Sequence, residues 1–294
     1  MIHRSLLRFR GARYLWWSLV LVVVATVLYV TQSRDLQPPN GGTWQGYVLG
    51  TIGALLIVWL ALLGIRKRSY HSTAGTVQGW TSAHVYLGGS LLIVATLHCG
   101  FQFGWNVHTL AYALMCIVIF SGFFGLYSYI NHPQLISRNR EGGARSLLFA
   151  ELFELDKQSR SLAQRCASAV AIAVDSSIER TTLGGGVYAQ LFSRDHSFFL
   201  RETGAGSALA VNADQQGVVN YVAERLPRAE KGTEAANLQQ LIILLCRRQA
   251  VVRRIRRDIR LSGWLKIWLY FHVPMTIALL FALVLHIVVT FFYW

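Results

Sequence analysis

Four histidines set what this chain can do chemically: His84 with His98, and His272 with His286. The members of each pair are fourteen residues apart, in long uncharged apolar runs. At 100° per residue, fourteen steps bring a helix back to within about 40° of its starting face, roughly 21 Å further along. Each run therefore shows two imidazoles on one face, one toward each edge of a hydrocarbon layer about 30 Å thick. Two such helices side by side oppose four imidazoles as two pairs at two depths. That arrangement suits two haems stacked across a bilayer, each iron held by two histidines, with electrons as the cargo. A lone histidine in a membrane helix more often bonds a neighbouring helix. Four in register are harder to place that way, because polar groups at depth are costly and usually functional.

The elements that must carry them are legible in the hydropathy. Of 294 residues 53% are hydrophobic and only 14% charged, against about 25% charged in soluble domains. The apolar runs Tyr14 to Val30, Trp44 to Ile65, Thr81 to about Phe103, Val107 to Ile130 and Ile267 to about Tyr293 are each long enough to span. Arginines 4, 8, 10 and 13 precede the first. Its apolar run outlasts a signal core, and Val30-Thr-Gln-Ser-Arg-Asp has no small-x-small cleavage site, so a retained helix is expected. Trp16, Trp17, Trp44, Trp80, Trp105, Trp264 and Trp268 fall near segment ends, as interfacial aromatics do.

The formal charge of +14 does not point to nucleic acid. Positive residues gather at the ends of apolar runs, and residues 69–137 contain no Asp, Glu, Lys or Arg. Four arginines lie before helix one, Arg66-Lys67-Arg68 follows helix two, and residues 131–262 after helix four hold nineteen Lys and Arg. The positive-inside rule then predicts a cytoplasmic N-terminus and an outside C-terminus, in a bacterial inner membrane. Helices three and five run the same way. His84 comes level with His272 on the inner side, and His98 level with His286 on the outer.

Small residues repeat at the same interval on the neighbouring helices. Gly50 and Gly64 are fourteen apart, as are Ala111 and Gly125. They would leave room for a flat macrocycle, Gly64 and Gly125 at the inner depth, Gly50 and Ala111 at the outer. Close helix packing explains such residues equally well. His71, His108 and His132 lie at segment ends, where interfacial or haem-propionate contact is expected rather than iron ligation. Pro274 should kink helix five. The four cysteines form no C-x-x-C or C-x-x-C-H, so neither iron–sulfur spacing nor covalent haem attachment is present.

The stretches AHVYLGGSLLIVATLHCG and YFHVPMTIALLFALVLHIV resemble the dihaem cytochrome b superfamily: the ferric-reductase-like transmembrane domains and the cytochrome b of respiratory complex III. The resemblance lies in H-x13-H on two parallel helices and covers helices two to five. It implies an all-α integral membrane protein whose four-helix bundle holds two b haems, the inner by His84 and His272 and the outer by His98 and His286. The pattern departs from both relatives. The ferric-reductase-like proteins have a further helix and a C-terminal flavin and nicotinamide module that are not expected here, and the Pro-Glu-Trp-Tyr quinol motif does not occur in the sequence. The haem wiring is implied, without either named activity.

Three parts follow: residues 1–130 with helices one to four, a mainly helical cytoplasmic insert over 131–262, and residues 263–294 with helix five. In the insert, SLLFAELFEL, AQRCASAVAIAVDSSI and AANLQQLIILLCRR pattern as helices. Gly184-Gly-Gly and Gly204-Ala-Gly206 read as turns, and no nucleotide-binding motif is present. Val251, Val252, Ile255 and Ile259 share a face ringed by arginines, expected to lie on the inner leaflet and less readily to dock an acidic partner. The function expected is a transmembrane electron-transfer subunit. Its partners would be a cytoplasmic reductase, an iron–sulfur protein or flavoprotein, or an outside-facing cytochrome, with quinone a further candidate ligand. The rival is a transporter or adaptor whose histidines bind metal or protons.

Overall fold

A computed structural model of the chain describes residues 7–31, 40–69, 73, 75–140, 143–184, 186–192, 195, 197–203, 206–229 and 232–292. It is mostly helical and divides into two compact units, Met1–Ile130 with Lys266–Trp294, and Asn131–Leu265.

The first unit contains α1 (Arg13–Val30), α2 (Trp44–Arg68), α3 (Val77–Cys99), the greater part of α4 (Val107–Asn139) and the C-terminal part of α9 (Thr233–Phe292). These are five helices long and apolar enough to cross a membrane. Their ends have local causes. Thr43 and Thr76 cap α2 and α3, each hydroxyl accepting from the amide three residues on, Gly46 and Gly79, at 3.1 Å. Arg66, Lys67 and Arg68 fill the last turn of α2, complementing the helix dipole. Gly100 ends α3 in the left-handed region at φ 57°, the conformation glycine adopts without a Cβ penalty.

Burial in this unit runs opposite to that of a water-soluble domain. Leu55, Phe120, Ile277 and Phe281 are exposed, as are Trp16 and Trp44 near helix ends. Soluble proteins rarely leave so much contiguous apolar surface open. The buried contacts lie between the helices. Leu60, Leu91, Met115 and Leu279, one each from α2, α3, α4 and α9, form a single cluster. Ala25, Leu49 and Val94 form a second where α1 joins α2 and α3. The Ser18 hydroxyl ties α1 to the Tyr86 carbonyl of α3 at 3.2 Å.

The second unit contains α5 (Arg145–Ala163), α6 (Ser168–Glu179), the short α7 (Val187–Phe192), strands β1 (Phe198–Thr203) and β2 (Gly206–Val211), α8 (Gln216–Ala223) and the N-terminal part of α9. The strands form an antiparallel hairpin with Phe198 opposite Val211 and Thr203 opposite Gly206. Phe199 turns inward onto a core of Val170, Val174, Val218, Val222 and Leu241. Gly206 opens β2; residues 204 and 205 of the expected turn, and Gly185 of the other, lie outside the described residues.

Two expectations need correction here. Helix five does not begin near Ile267: α9 is continuous from Thr233 to Phe292, with Pro274 inside it. The arginine-rich run lacks the glycine or proline that would stop a helix before residue 263. The face of Val251, Val252, Ile255 and Ile259 is also not free to lie on a leaflet. It packs against Leu148, Leu152 and Leu155 of α5, because both helices present apolar stripes at the same spacing.

Candidate functional site

The first unit brings together the neighbourhoods of all four sequence-predicted histidines, and in each the same ring nitrogen is engaged. His84 Nδ1 lies 3.1 Å from the Leu60 carbonyl oxygen, and His98 Nδ1 2.8 Å from that of Gly46. His272 Nδ1 lies 2.7 Å from Ser121 Oγ, and His286 Nδ1 2.6 Å from His108 Nδ1. With Nδ1 donating to a carbonyl or hydroxyl, the neutral ring keeps an unprotonated Nε2, the form in which imidazole ligates a metal. Ser121 fits that assignment, since its own hydroxyl donates to the Val118 carbonyl at 2.8 Å and leaves its oxygen to accept. Ligating histidines almost always have such an outer partner, which fixes tautomer and ring orientation.

The acceptors have their own regularity. Leu60 and Gly46 are fourteen residues apart on α2, and they receive His84 and His98, fourteen apart on α3. On α9 each histidine has a threonine four residues on: Thr276 donates to the His272 carbonyl and Thr290 to that of His286, both at 2.8 Å. Backbone carbonyls carry no side-chain signature, so the Leu60 and Gly46 contacts could not be found from residue types. The H-x-x-x-T repeat and Ser121, a polar residue in an apolar run, were visible signals.

His98 and His286 face one another with ring centres 6.0 Å apart and planes at 85°. Two imidazoles on opposite sides of one metal, each bonded at about 2.0–2.1 Å, set their ring centres roughly 6.4 Å apart. The observed separation is within half an ångström of that. Beside the pair is a cavity of about 680 Å³, lined by His98, His108, His286, Gly50, Ala111 and mainly apolar side chains. Its size and lining suit a large planar apolar group. His84 and His272 are each held by a neighbouring helix rather than by one another. Among the described residues, no group of three or more His, Cys, Asp or Glu converges as a bare metal ion would need. A two-imidazole pair such as His98 and His286 could hold a metal that brings its other ligands with it, as a haem does.

The small residues divide. A Cβ on Gly50 would lie 2.7 Å from His98 Cε1, so this glycine clears space for the imidazole itself. Gly125 clears space for the Trp268 indole, whose Nε1 donates to the Ser121 carbonyl at 2.8 Å. Ala111 lines the cavity. A Cβ on Gly64 would meet nothing within 4 Å. His108 is not merely an interfacial histidine, being bonded to His286. His132 lies in the second unit, and His71 falls outside the described residues.

The second unit has a buried polar cluster that the sequence did not announce. Gln215, in the left-handed region at φ 64°, is its hub. Its Oε1 accepts from Arg248 Nη1 at 2.6 Å and from Thr181 Oγ1 at 3.1 Å. Its Nε2 donates to Asp195 Oδ2 and to Ser197 Oγ, both at 2.9 Å. Arg248 also pairs with Asp156, and Arg256 with Asp195, each at 2.5 Å. Burial raises the Asp195 pKa, but bonds from Arg256, Gln215 and Ser197 outweigh it and hold the carboxyl at about 2. These mutual bonds suit a network that fixes the hairpin, α6 and α9 in one arrangement.

The arginine run divides as well. Arg254 exchanges hydrogen bonds with Asn139, its Nε reaching the Asn139 carbonyl at 2.9 Å, and Arg256 is committed to Asp195 and the Thr182 carbonyl. Arg253 and Arg257 are exposed. Buried Asp258 receives both Arg140 and Arg145. Comparison of the chain with family models, with curated proteins and with solved structures finds no match.

Proposed function

We propose that this chain is a membrane-embedded electron-transfer subunit of the dihaem cytochrome b type, with His84 and His272 holding an inner b haem and His98 and His286 an outer one. The observation that carries the reading is the common state of the four imidazoles. Each sits on one of two apolar helices and has its Nδ1 committed to a partner, which leaves four Nε2 atoms for ligation. The shared cluster of Leu60, Leu91, Met115 and Leu279 supports a four-helix bundle around them. The outward apolar side chains support a lipid environment, and the positive charges support a cytoplasmic N-terminus and insert.

A haem held by His84 with His272, or by His98 with His286, would supply one-electron ferric–ferrous chemistry, suited to relaying electrons rather than binding oxygen or substrate. The chain's own work is positional. The Leu60 and Gly46 carbonyls and Ser121 fix the tautomers and ring orientations, and Gly50 admits the His98 ring. Donor and acceptor are partner proteins or a quinone on either face of the membrane.

The test is haem content of the full-length chain purified in detergent, measured as pyridine haemochrome with reduced-minus-oxidised spectra. Two b haems per chain are expected. His98→Ala or His286→Ala should remove one haem component, and His84→Ala or His272→Ala the other. A parent chain with no haem would sink the reading in favour of a histidine-based transporter or adaptor. Loss of the same component in His84→Ala and His286→Ala would overturn the pairing.

A further inference from the structure

The four imidazoles differ in what their Nδ1 atoms meet. Three meet oxygens: the Leu60 and Gly46 carbonyls and the Ser121 hydroxyl. The fourth, His286, meets the Nδ1 of another imidazole, His108, at 2.6 Å, with ring centres 4.7 Å apart and planes at 88°. If His286 ligates through Nε2, its proton must be on Nδ1, and Nδ1 is then the donor. The geometry leaves His108 one role, that of acceptor, with its own proton on Nε2.

We infer that His108 is a positioning residue for the outer haem: by accepting the Nδ1 proton bond of His286 it orients that ligand and makes it a stronger electron donor than its three counterparts. The inference rests on the proposed haem ligation. An unprotonated imidazole nitrogen is a more basic acceptor than a backbone carbonyl or a serine hydroxyl. A short bond to it pulls the His286 proton outward and leaves more electron density on the ring, and so on the ligating nitrogen. Greater donation stabilises the oxidised metal. The outer haem should therefore be held at a lower midpoint potential than the same site would have without His108.

His108 sits in the first turn of α4, one turn before Ala111, and both line the cavity beside His98 and His286. Its contact with His286 joins α4 to α9. The equivalent contact at the other depth, Ser121 to His272, joins the same two helices through a hydroxyl. The two depths are thus built alike but supported by different acceptors, which gives them different ligand strengths.

The experiment uses full-length chain in detergent, with His108→Leu to remove the acceptor and His108→Asn to restore one near the Nδ1 position. Haem per chain is counted, and each haem is titrated potentiometrically; the component missing in His98→Ala identifies the outer one. In His108→Leu the outer potential should rise and outer haem affinity should fall on the order of 10–100-fold, with the inner component unmoved. His108→Asn should bring both back toward the parent. If His108→Leu retains no outer haem, the Asn variant decides: recovery supports the role, and continued loss overturns it. An unshifted outer potential in His108→Leu, with two haems present, also overturns it while leaving the haem assignment standing. Haem retained in His286→Ala but lost in both His108 variants would make His108 the ligand and reverse the roles. A parent without haem would instead remove the reading on which the inference rests.

Discussion

Gly50→Ala is the smallest change that should strike the outer pair. A methyl carbon there would lie 2.7 Å from His98 Cε1 and 3.0 Å from Nδ1. Ordinary contact begins at 3.4 Å, so the ring must retreat by about 0.7 Å. The ring cannot swing away freely, because Nδ1 is bonded to the Gly46 carbonyl at 2.8 Å. Losing that bond costs about 0.5–1.5 kcal/mol. Loss of a supporting partner of this kind typically weakens metal affinity by about 10–100-fold. Gly64→Ala is the matched control, since a Cβ there meets nothing within 4 Å; relief of glycine's helix penalty should make it neutral or stabilising by up to about 1 kcal/mol. Both variants are purified in detergent and compared with the parent for haem per chain, spectral components and thermal midpoint. Gly50→Ala should lose or weaken only the component absent in His98→Ala. The reasoning is refuted if Gly50→Ala keeps both components at parental occupancy, or if Gly64→Ala proves the more damaging.

Other perturbations separate the remaining roles. Gln215→Leu removes the hub between Arg248, Thr181, Asp195 and Ser197; stranding those groups should destabilise the second unit by on the order of 3 kcal/mol, read as faster proteolysis of the insert in the full chain. The Asp195 carboxyl, held at about 2 against an ordinary 3.8, contributes stability that is complete above about pH 4 and lost as pH falls through 2. Asp195→Asn should accordingly flatten the acid limb of the stability profile, and an unchanged limb would count against the ion pair with Arg256. Among the arginines, Arg253→Gln with Arg257→Gln should slow electron exchange with an acidic soluble protein used as the redox probe, less so as salt rises. Arg254→Gln with Arg256→Gln should instead lower insert stability, and equal effects from both pairs would refute that division.

The sequence was most legible where one residue type does one thing at a fixed interval. Charge-free apolar runs marked the five long apolar helices, because hydropathy is local, and the H-x13-H spacing placed each histidine pair on one helix, because it depends only on helical geometry. Features that depend on a neighbour were hidden. Gly50 and Gly64 look equivalent in the chain, yet one faces the His98 ring and the other faces open space. Arg253 to Arg257 read as one basic face, but the turn of α9 commits Arg254 to Asn139 at the end of α4 and Arg256 to Asp195 and the Thr182 carbonyl. Gln215 gives no signal at all, since its importance comes from a left-handed backbone that turns it inward toward residues distant in sequence.

The repeated contacts between α4 and α9 constrain the path of those helices. His272 reaches Ser121 and His286 reaches His108, so α9 meets α4 at two points fourteen residues apart on one helix and thirteen on the other, in antiparallel sense. A straight α-helix falls out of phase with a seven-residue period by about 20° per heptad. Over two heptads the drift is about 40°, small enough to leave His272 and His286 on one face of α9. Thirteen steps on a straight α4 leave it about 140° out of phase, so His108 and Ser121 reach α9 from different flanks of α4, while α9 meets both from one face. Insertion of a single residue between His272 and His286 would then act as a phase error of about 100°. The interval between the histidines is a phase constraint on α9 as well as a distance along it.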